Sequence, residues 1–174
     1  MEYDFTLKFK LATDDIDADL LVERLGEAGC DDALVGVGHP GRIALDFTRE
    51  AESAEAAIVS ALADVKKAIP DAKLVEVSPD FVGLSDVAEL IGVTRQNMRK
   101  LMLAHAESFP MPLHEGSAAV WHLATVLKWL KERGTYHFEQ TVFDVAYTAM
   151  QVNIAKEVSS LTPRVRREVR AFVA

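Results

Sequence analysis

The sequence lacks several features that would assign it to a common functional class. Cys30 is the only cysteine among 174 residues, which excludes an internal disulfide and a thiolate metal site made by this chain alone. No apolar run approaches the roughly 20 residues of a membrane-spanning helix. The chain begins MEYDF, without the basic start and apolar core of an export signal. We therefore expect a cytoplasmic protein with no membrane partner.

Signatures of catalysis and of metal binding are also missing from the sequence. No Gly-rich phosphate-binding loop follows a strand pattern, and no nucleophile elbow occurs. His105, His114 and His122 are irregularly spaced, and the chain has no second cysteine to join them, which disfavours a metal site. We expect a protein that is not an enzyme and that carries no cofactor and no metal.

Charge is unevenly divided along the chain, whose formal net charge is -8. Residues 1–80 carry 18 acidic and 8 basic side chains, a net charge of -10. Residues 81–134 and residues 135–174 each carry a net charge of +1. This asymmetry predicts an acidic N-terminal domain joined to a nearly neutral second half, and it disfavours nucleic acid as the partner of the N-terminal domain.

Hydrophobic patterning in residues 1–80 predicts the order strand, helix, strand, strand, helix, strand. Apolar and polar side chains alternate over residues 5–11 and 43–47, which is the period of a strand with one buried face. Apolar residues recur at helical spacing over residues 19–28 and 54–69. The predicted order resembles the ferredoxin-like fold, in which two helices cover one face of a four-stranded antiparallel sheet.

The other face of this predicted sheet is expected to be open. Exposed aromatic side chains for RNA bases to stack on are not expected there, because Phe5, Phe9 and Phe47 share the buried alternation. Another subunit, a protein or a small ligand would each fit the open face, and the pattern does not choose among them. The residues expected on the open face are Thr6, Lys8, Lys10, Arg42, Ala44 and Asp46.

Residues 84–102, LSDVAELIGVTRQNMRKLM, have the pattern of two short amphipathic helices separated by Gly92. Ser85 with Asp86 suits the start of the first helix, because the hydroxyl caps free amides and the carboxylate lies near the positive end of the helix dipole. Thr94 suits the cap of the second helix. The sequence therefore predicts two helices held at a tight, defined angle.

The second predicted helix has one apolar face and one polar, basic face. Val93 and Met98 occupy the positions of a hydrophobic staple, with Met98 directed into the core. Arginine pairs well with guanine, glutamine and asparagine with adenine, and lysine with phosphate. We predict a DNA-binding helix-turn-helix, and a plain helical hairpin with a solvated face is the alternative. The residues assigned to DNA on this helix are Thr94, Arg95, Gln96, Asn97, Arg99 and Lys100.

The next segment, FPMPLHEGSAAVWHLATVLKWLKERG, predicts a small hairpin and a third helix. Extended pieces at residues 111–114 and 119–122 would form a wing. His114 and Ser117 in this wing are also assigned to DNA. The order helix, turn, helix, wing, helix over residues 81–134 resembles the winged DNA-binding domain of the MerR superfamily, especially its excisionase-like branch.

One feature departs from that branch, where the resemblance implies arginine or lysine in or beside the wing. No basic residue except histidine occurs between Lys100 and Lys128. Phosphate contacts supply most of the sequence-independent affinity for DNA, so a monomer of this protein should bind weakly and lose binding as salt rises. The departure therefore predicts a homodimer on double-stranded DNA.

Residues 139–161 contain no glycine or proline and predict a helix with a broad apolar face. The resemblance implies dimerisation through a helix in this position, and packing within the same chain is the alternative. A second helix is expected to start at Thr162 and Pro163 and to carry four arginines, which would contact phosphate or the acidic domain of a neighbouring subunit. The residues assigned to dimerisation are Phe143, Tyr147, Met150, Ile154 and Leu161.

The sequence thus predicts an α+β protein with three parts. A ferredoxin-like domain over residues 1–80 is followed by a winged helix-turn-helix over 81–134, and a C-terminal helix with an arginine-rich tail occupies 135–174. The first functional hypothesis is a sequence-specific DNA-binding protein that regulates transcription as a dimer. The second is a non-enzymatic adaptor or assembly protein that binds other proteins through the acidic sheet domain and the C-terminal helix.

Overall fold

The computed structural model of the protein describes residues 1–13 and 17–173, which form a mixed α+β structure, as the sequence predicts. The strands are β1 (Glu2–Lys10), β2 (Ala33–Gly36), β3 (Arg42–Glu50), β4 (Lys73–Ser78), β5 (Phe81–Val82) and β6 (Trp121–His122). The helices are α1 (Ala18–Ala28), α2 (Ala54–Ala68), α3 (Leu84–Leu90), α4 (Arg95–Ala104), α5 (Leu123–Arg133), α6 (Gln140–Ser159) and α7 (Pro163–Val173). Within these residues no helix is both long and apolar enough to cross a bilayer.

The first four strands form one antiparallel sheet in the order β2-β3-β1-β4. β1 pairs with β3 along its whole length, from Glu2 opposite Glu50 to Lys10 opposite Arg42. Alternation buries one face of these strands against α1 and α2, and Phe5 stacks on Phe47 with ring centroids 5.2 Å apart. The aromatic residues therefore lie in the core, as the alternation predicts.

The ends of α1 and α2 follow from local chemistry. Gly29 ends α1 in the left-handed region at φ 110°, where a side chain would be strained. Ser53 caps α2, since its hydroxyl accepts the Ala56 N–H at 3.1 Å. Both ends are where the sequence predicts them.

Arg49 lies buried on the inner face of β3, at a position where the alternation would place an apolar residue. Its Nε and Nη2 donate to the two carboxylate oxygens of Asp32 at 2.7 and 2.9 Å, and its Nη1 donates to Asp64 at 2.8 Å. Nη2 also donates to the Gly29 carbonyl at 2.7 Å. These bonds, that to Asp32 above all, raise the pKa of the guanidinium above its ordinary value. The buried charge is therefore fully paired.

A second core lies among α3, α4, α5 and the β5–β6 pair. Phe109 is its aromatic centre, in edge contact with Trp121 at 6.0 Å and with Trp129 at 5.0 Å between ring centroids. Trp121 Nε1 donates to the Pro110 carbonyl at 2.9 Å, so the indole is buried with its donor satisfied.

Two sequence predictions about this region are corrected by the structure. Ser85 does not cap α3, which begins at Leu84 after Gly83, and the Asp86 carboxylate accepts the Gly83 N–H at 2.7 Å. The predicted wing hairpin between residues 111–114 and 119–122 forms only as a single bridge. Trp121 and His122 pair instead with β5, because that pairing closes the second core.

Helix α6 contributes to both cores. Val145 and Ala149 belong to the core beneath the sheet, and Ala146 belongs to the second core. Asn153, one turn beyond Ala149, is buried between them. The two halves of the chain are therefore joined by one shared helix.

A buried polar network connects α6 to the sheet and to β6. Asn153 Oδ1 accepts the Val77 N–H at 2.9 Å, and its Nδ2 donates to the Val77 carbonyl and to Asp80 Oδ2, each at 2.8 Å. Asp80 Oδ1 lies 2.6 Å from His122 Nδ1, and the Asp80 carbonyl accepts the Leu123 N–H at 2.7 Å. Because β4 is an edge strand, Asn153 satisfies backbone groups that no strand pairs.

Candidate nucleic-acid interface

The turn between α3 and α4 is fixed by backbone hydrogen bonds. Gly92 has φ 72°, its N–H donates to the Glu89 carbonyl at 3.2 Å, and the Val93 N–H donates to the Ala88 carbonyl at 2.9 Å. This pair of bonds defines a Schellman motif, which needs a left-handed residue at the position of Gly92. Any other residue at Gly92 would be strained, so the angle between the two helices depends on this glycine.

The start of α4 is capped as the sequence predicts. Thr94 Oγ1 accepts the Asn97 N–H at 3.1 Å. Val93 and Met98 belong to the same hydrophobic cluster, and Met98 is completely buried. The cap and this apolar contact fix both the first turn of α4 and its rotation about its own axis.

The rotation of α4 leaves the five predicted DNA-contact residues after the cap exposed. Among the residues that the structure describes, none of the five side chains forms an ion pair or a hydrogen bond with the protein. The amides at the start of α4 point along the helix axis beyond its first residue, which favours an anion at that end of the helix. The surface formed by these residues, which we call the α4 surface, comprises Arg95, Gln96, Asn97, Arg99 and Lys100.

The two predicted wing residues are exposed, but they lie in a short loop and not in a two-stranded hairpin. His114 bridges to Val120, with the Val120 N–H donating to the His114 carbonyl at 3.0 Å. Ser117 follows at the tip beside Glu115 and Gly116. The loop carries one acidic side chain and no lysine or arginine, so it brings no lysine or arginine charge to the α4 surface.

Sequence reasoning missed Arg133, the last residue of α5, which lies beside the C-terminal end of α4. Arg133 stacks on Trp129 with its guanidinium carbon 4.8 Å from the ring centroid, and its Nη2 lies 2.9 Å from Nε2 of His105, the C-cap of α4. The stacked geometry holds this cation in place. The position of Arg133 could have been predicted, because the apolar face of α5 fixes the side of the helix on which Arg133 lies.

The predicted dimerisation residues fall into two groups. Phe143 and Met150 are partly buried against the second core of their own chain. Tyr147, Ile154 and Leu161 are 50%, 43% and 40% exposed. Packing within the chain therefore uses part of the predicted set and leaves the rest on the surface.

The arginines of α7 are exposed, and so are its apolar residues. Val165, Val169 and Phe172 lie on the surface, with Phe172 87% exposed. Arg164 pairs with Glu168 at 2.9 Å one turn away, and this pair is exposed. An amphipathic basic helix thus extends the chain beyond α6 without a core of its own.

In the described ranges no group of three or more His, Cys, Asp or Glu is placed to hold a metal ion.

Comparison of the chain with protein families, curated proteins and solved structures finds no match.

Proposed function

We propose that the protein is a sequence-specific, double-stranded-DNA-binding protein that regulates transcription as a homodimer. The single observation that carries the proposal is the α4 surface. Its five exposed polar residues have no partner within the described ranges 1–13 and 17–173, and the opposite side of the helix packs into the second core through Met98. A helix of this kind, preceded by a short helix and a tight turn, fits the major groove with its first turns nearest the bases.

We propose a winged helix-turn-helix for residues 81–134 and a ferredoxin-like fold for residues 1–80. The order β2-β3-β1-β4, with two helices on one face, is the arrangement expected of the split βαβ motif. The sequence α3, turn, α4, bridged loop, α5 supports the winged domain, although its wing is short. Both assignments agree with the resemblance that the residue pattern suggests.

The charge of the α4 surface determines how tightly a monomer can bind DNA. Arg95, Arg99 and Lys100 supply three positive charges, and the wing loop supplies none. Each phosphate neutralised changes the logarithm of the binding constant by about 0.9 per decade of salt, so a monomer should show a small slope. A dimer doubles the contacts, and the exposed α7 arginines are a further source of positive charge for phosphate contacts.

The first test is selection of bound sequences from random duplexes of about 30 base pairs, long enough for two half-sites one helical turn apart. Affinity for the selected duplex is then measured by fluorescence anisotropy at several salt concentrations. Arg99→Ala should weaken binding about 10- to 100-fold, the usual range for one base-reading arginine. Lys67→Ala is the charge-matched control, because Lys67 is exposed on α2 of the acidic domain and should have no effect.

The two kinds of contact are separated by the salt dependence. If Lys100 contacts phosphate, Lys100→Ala should lower affinity for all duplexes and reduce the salt slope by about 1. Gln96→Ala should relax preference at one base position with little change of slope. Absence of any duplex preference at low salt, or equal losses for Arg99→Ala and Lys67→Ala, would contradict the proposal.

The exposed apolar side of α7 favours a second candidate function, that of a non-enzymatic adaptor. Phe172 and Val173 are 87% and 77% exposed on a helix that also carries four arginines, which suits an acidic protein partner with an apolar groove. A protein that binds no duplex, but whose partner binding is lost when residues 163–174 are removed, would be this adaptor.

A further inference from the structure

The open face of the four-stranded sheet contains a hollow of about 360 Å³. Its floor is low because Gly36 of β2 and Ala44 of β3 lie directly opposite each other, with no large side chain between them. A Cβ added at Gly36 would meet only the Ala44 carbonyl oxygen, at 3.7 Å, so nothing in the backbone packing requires the glycine. Gly36 and Ala44 therefore leave an open space above the sheet, although the packing around Gly36 would accept a larger side chain.

Positive side chains surround this hollow. Lys8 and Lys10 of β1 and Arg42 of β3 line it, together with His39 of the β2–β3 loop. Lys10 lies opposite Arg42 on one side and opposite Lys73 of β4 on the other, which makes a row of three cations across three strands. The acidic domain thus places half of its eight lysines and arginines at one end of one sheet face.

Most of these charges have no counter-charge in the part of the chain that the structure describes. Lys8 pairs with Glu76 at 3.3 Å. Among the described residues, Lys10, Arg42 and Lys73 form no ion pair, although the domain carries 18 carboxylates. Like charges directly opposite each other destabilise a sheet, so the row costs stability in the ligand-free protein. An anion held between the cations would remove that cost.

We propose that this hollow binds a small organic anion, with a phosphate or carboxylate group held by Lys8, Lys10 and Arg42. The guanidinium of Arg42 suits a forked contact with such a group, and Lys73 adds positive potential from the neighbouring strand. The apolar part of the ligand fills the space over Gly36 and Ala44, beside the exposed Val75. The volume falls in the usual range for small-ligand sites.

The inference is independent of DNA binding, because it uses no residue of the α4 surface. It makes the acidic domain a ligand-binding module, which accounts for a basic cluster in a domain of net charge -10. Binding in the hollow also differs from non-specific attraction of salt anions to a positive patch, since a ligand of the hollow must match both its shape and its charge.

The test uses phenyl phosphate as the probe, with inorganic phosphate as the anion that lacks an apolar part. Binding is measured by isothermal titration and by amide chemical shifts at Gly36, Gly38 and Ala44. Phenyl phosphate should bind saturably and more tightly than inorganic phosphate. Lys10→Gln should weaken both anions about tenfold, equivalent to about 1.4 kcal/mol for one charged contact.

A second variant tests the hollow without changing charge. Gly36→Val should abolish the preference for phenyl phosphate over inorganic phosphate, because it fills the space above the sheet. Ala44→Val does the same from β3 and takes its place if Gly36→Val does not fold. Lys67→Gln, on α2 and away from the sheet face, is the control and should bind like the wild type.

The stability of the ligand-free protein supplies an independent readout. Lys10→Gln should unfold at the same or a higher temperature than the wild type at low salt, because it relieves the repulsion among Lys10, Arg42 and Lys73. The proposal is wrong if phenyl phosphate does not bind the wild type at about 10 mM, a concentration that would populate even a weak millimolar site. It is also wrong if Lys10→Gln and both filling variants bind the probe like the wild type.

Discussion

Replacement of Asn153 by alanine should separate the two halves of the protein. The Asn153 amide makes three hydrogen bonds in the interior, two to the Val77 backbone and one to the Asp80 carboxylate. Alanine keeps the helix and removes all three. It leaves the edge of β4 and a fully buried carboxylate short of partners at the junction between the two cores.

The size of the effect follows from the groups left without partners. Each buried donor or acceptor that loses its partner costs about 1–3 kcal/mol, and a charged group costs more. The Val77 N–H, the Val77 carbonyl and Asp80 Oδ2 are all affected, so the expected loss is about 3–9 kcal/mol for the three groups together. Asp80 keeps its contact with His122 at 2.6 Å, and partial hydration of the new cavity lowers the cost, which favours the lower part of that range.

The assay uses the positions of the two tryptophans. Trp121 and Trp129 both lie in the second core, so tryptophan fluorescence reports the unfolding of that core, whereas far-ultraviolet circular dichroism reports the whole chain. In the wild type the two urea transitions should coincide, because α6 is shared by both cores. In Asn153→Ala the midpoints should fall and the two transitions should separate.

The control is Gln151→Ala on the same helix, where the side chain is exposed and no network is lost. Its free energy of unfolding should stay within about 0.5 kcal/mol of the wild type. A loss of less than 1 kcal/mol in Asn153→Ala, with coincident transitions, would refute the view that this network joins the two halves.

Two further predictions concern the core beneath the sheet. Arg49→Met should lower the free energy of unfolding by about 3 kcal/mol, since it leaves the carboxylates of Asp32 and Asp64 without their cation. Arg49→Lys should not restore the stability, because lysine lacks the planar group that can bind both carboxylates at once. Urea unfolding measures the free energy for both variants. Burial, with a smaller effect of Asp64, raises the pKa of the Cys30 thiol from 9.0 to about 11, so a chromogenic thiol reagent at pH 8 should react about 100-fold slower than in urea. Because the pKa is raised in the folded state, the protonated thiol contributes fully to the free energy of unfolding below pH 9, and this contribution is lost as the pH rises towards 11. Cys30→Ala should not show this pH-dependent loss.

Regular elements could be predicted from the sequence because their signals are local. β1 and β3 alternate over nine residues each, and Ser53, Thr94 and Gly29 mark helix ends by their own chemistry. The pairing of β5 with β6 could not be predicted, because each strand has two residues and the two are about forty positions apart. The prediction of Ser85 as the cap of α3 was wrong because the residue before the helix is Gly83, whose N–H donates to Asp86, and glycine has no side chain that would mark it as a cap.

The buried polar residues were missed although their positions carried a signal. Arg49 continues the alternation of Ile43, Leu45 and Phe47, and Asn153 continues the spacing of four residues from Val145 through Ala149. A polar residue in register with a buried face needs partners in the interior. What the sequence cannot provide is the identity of those partners, since Asp80 and Val77 are more than seventy positions from Asn153.

Packing of α6 within the chain does not exclude dimerisation through α6, because a dimer would use a different face of the same helix. Val145, Ala149 and Asn153 face the chain's own interior, whereas Tyr147 and Ile154, seven positions apart, face outwards. Two half-exposed side chains cannot bury the roughly 800 Å² per partner of a stable interface. A dimer through this strip must therefore recruit the apolar side of α7, which the exposure of its own apolar residues makes available. The dimer hypothesis thus depends on α7 as much as on α6.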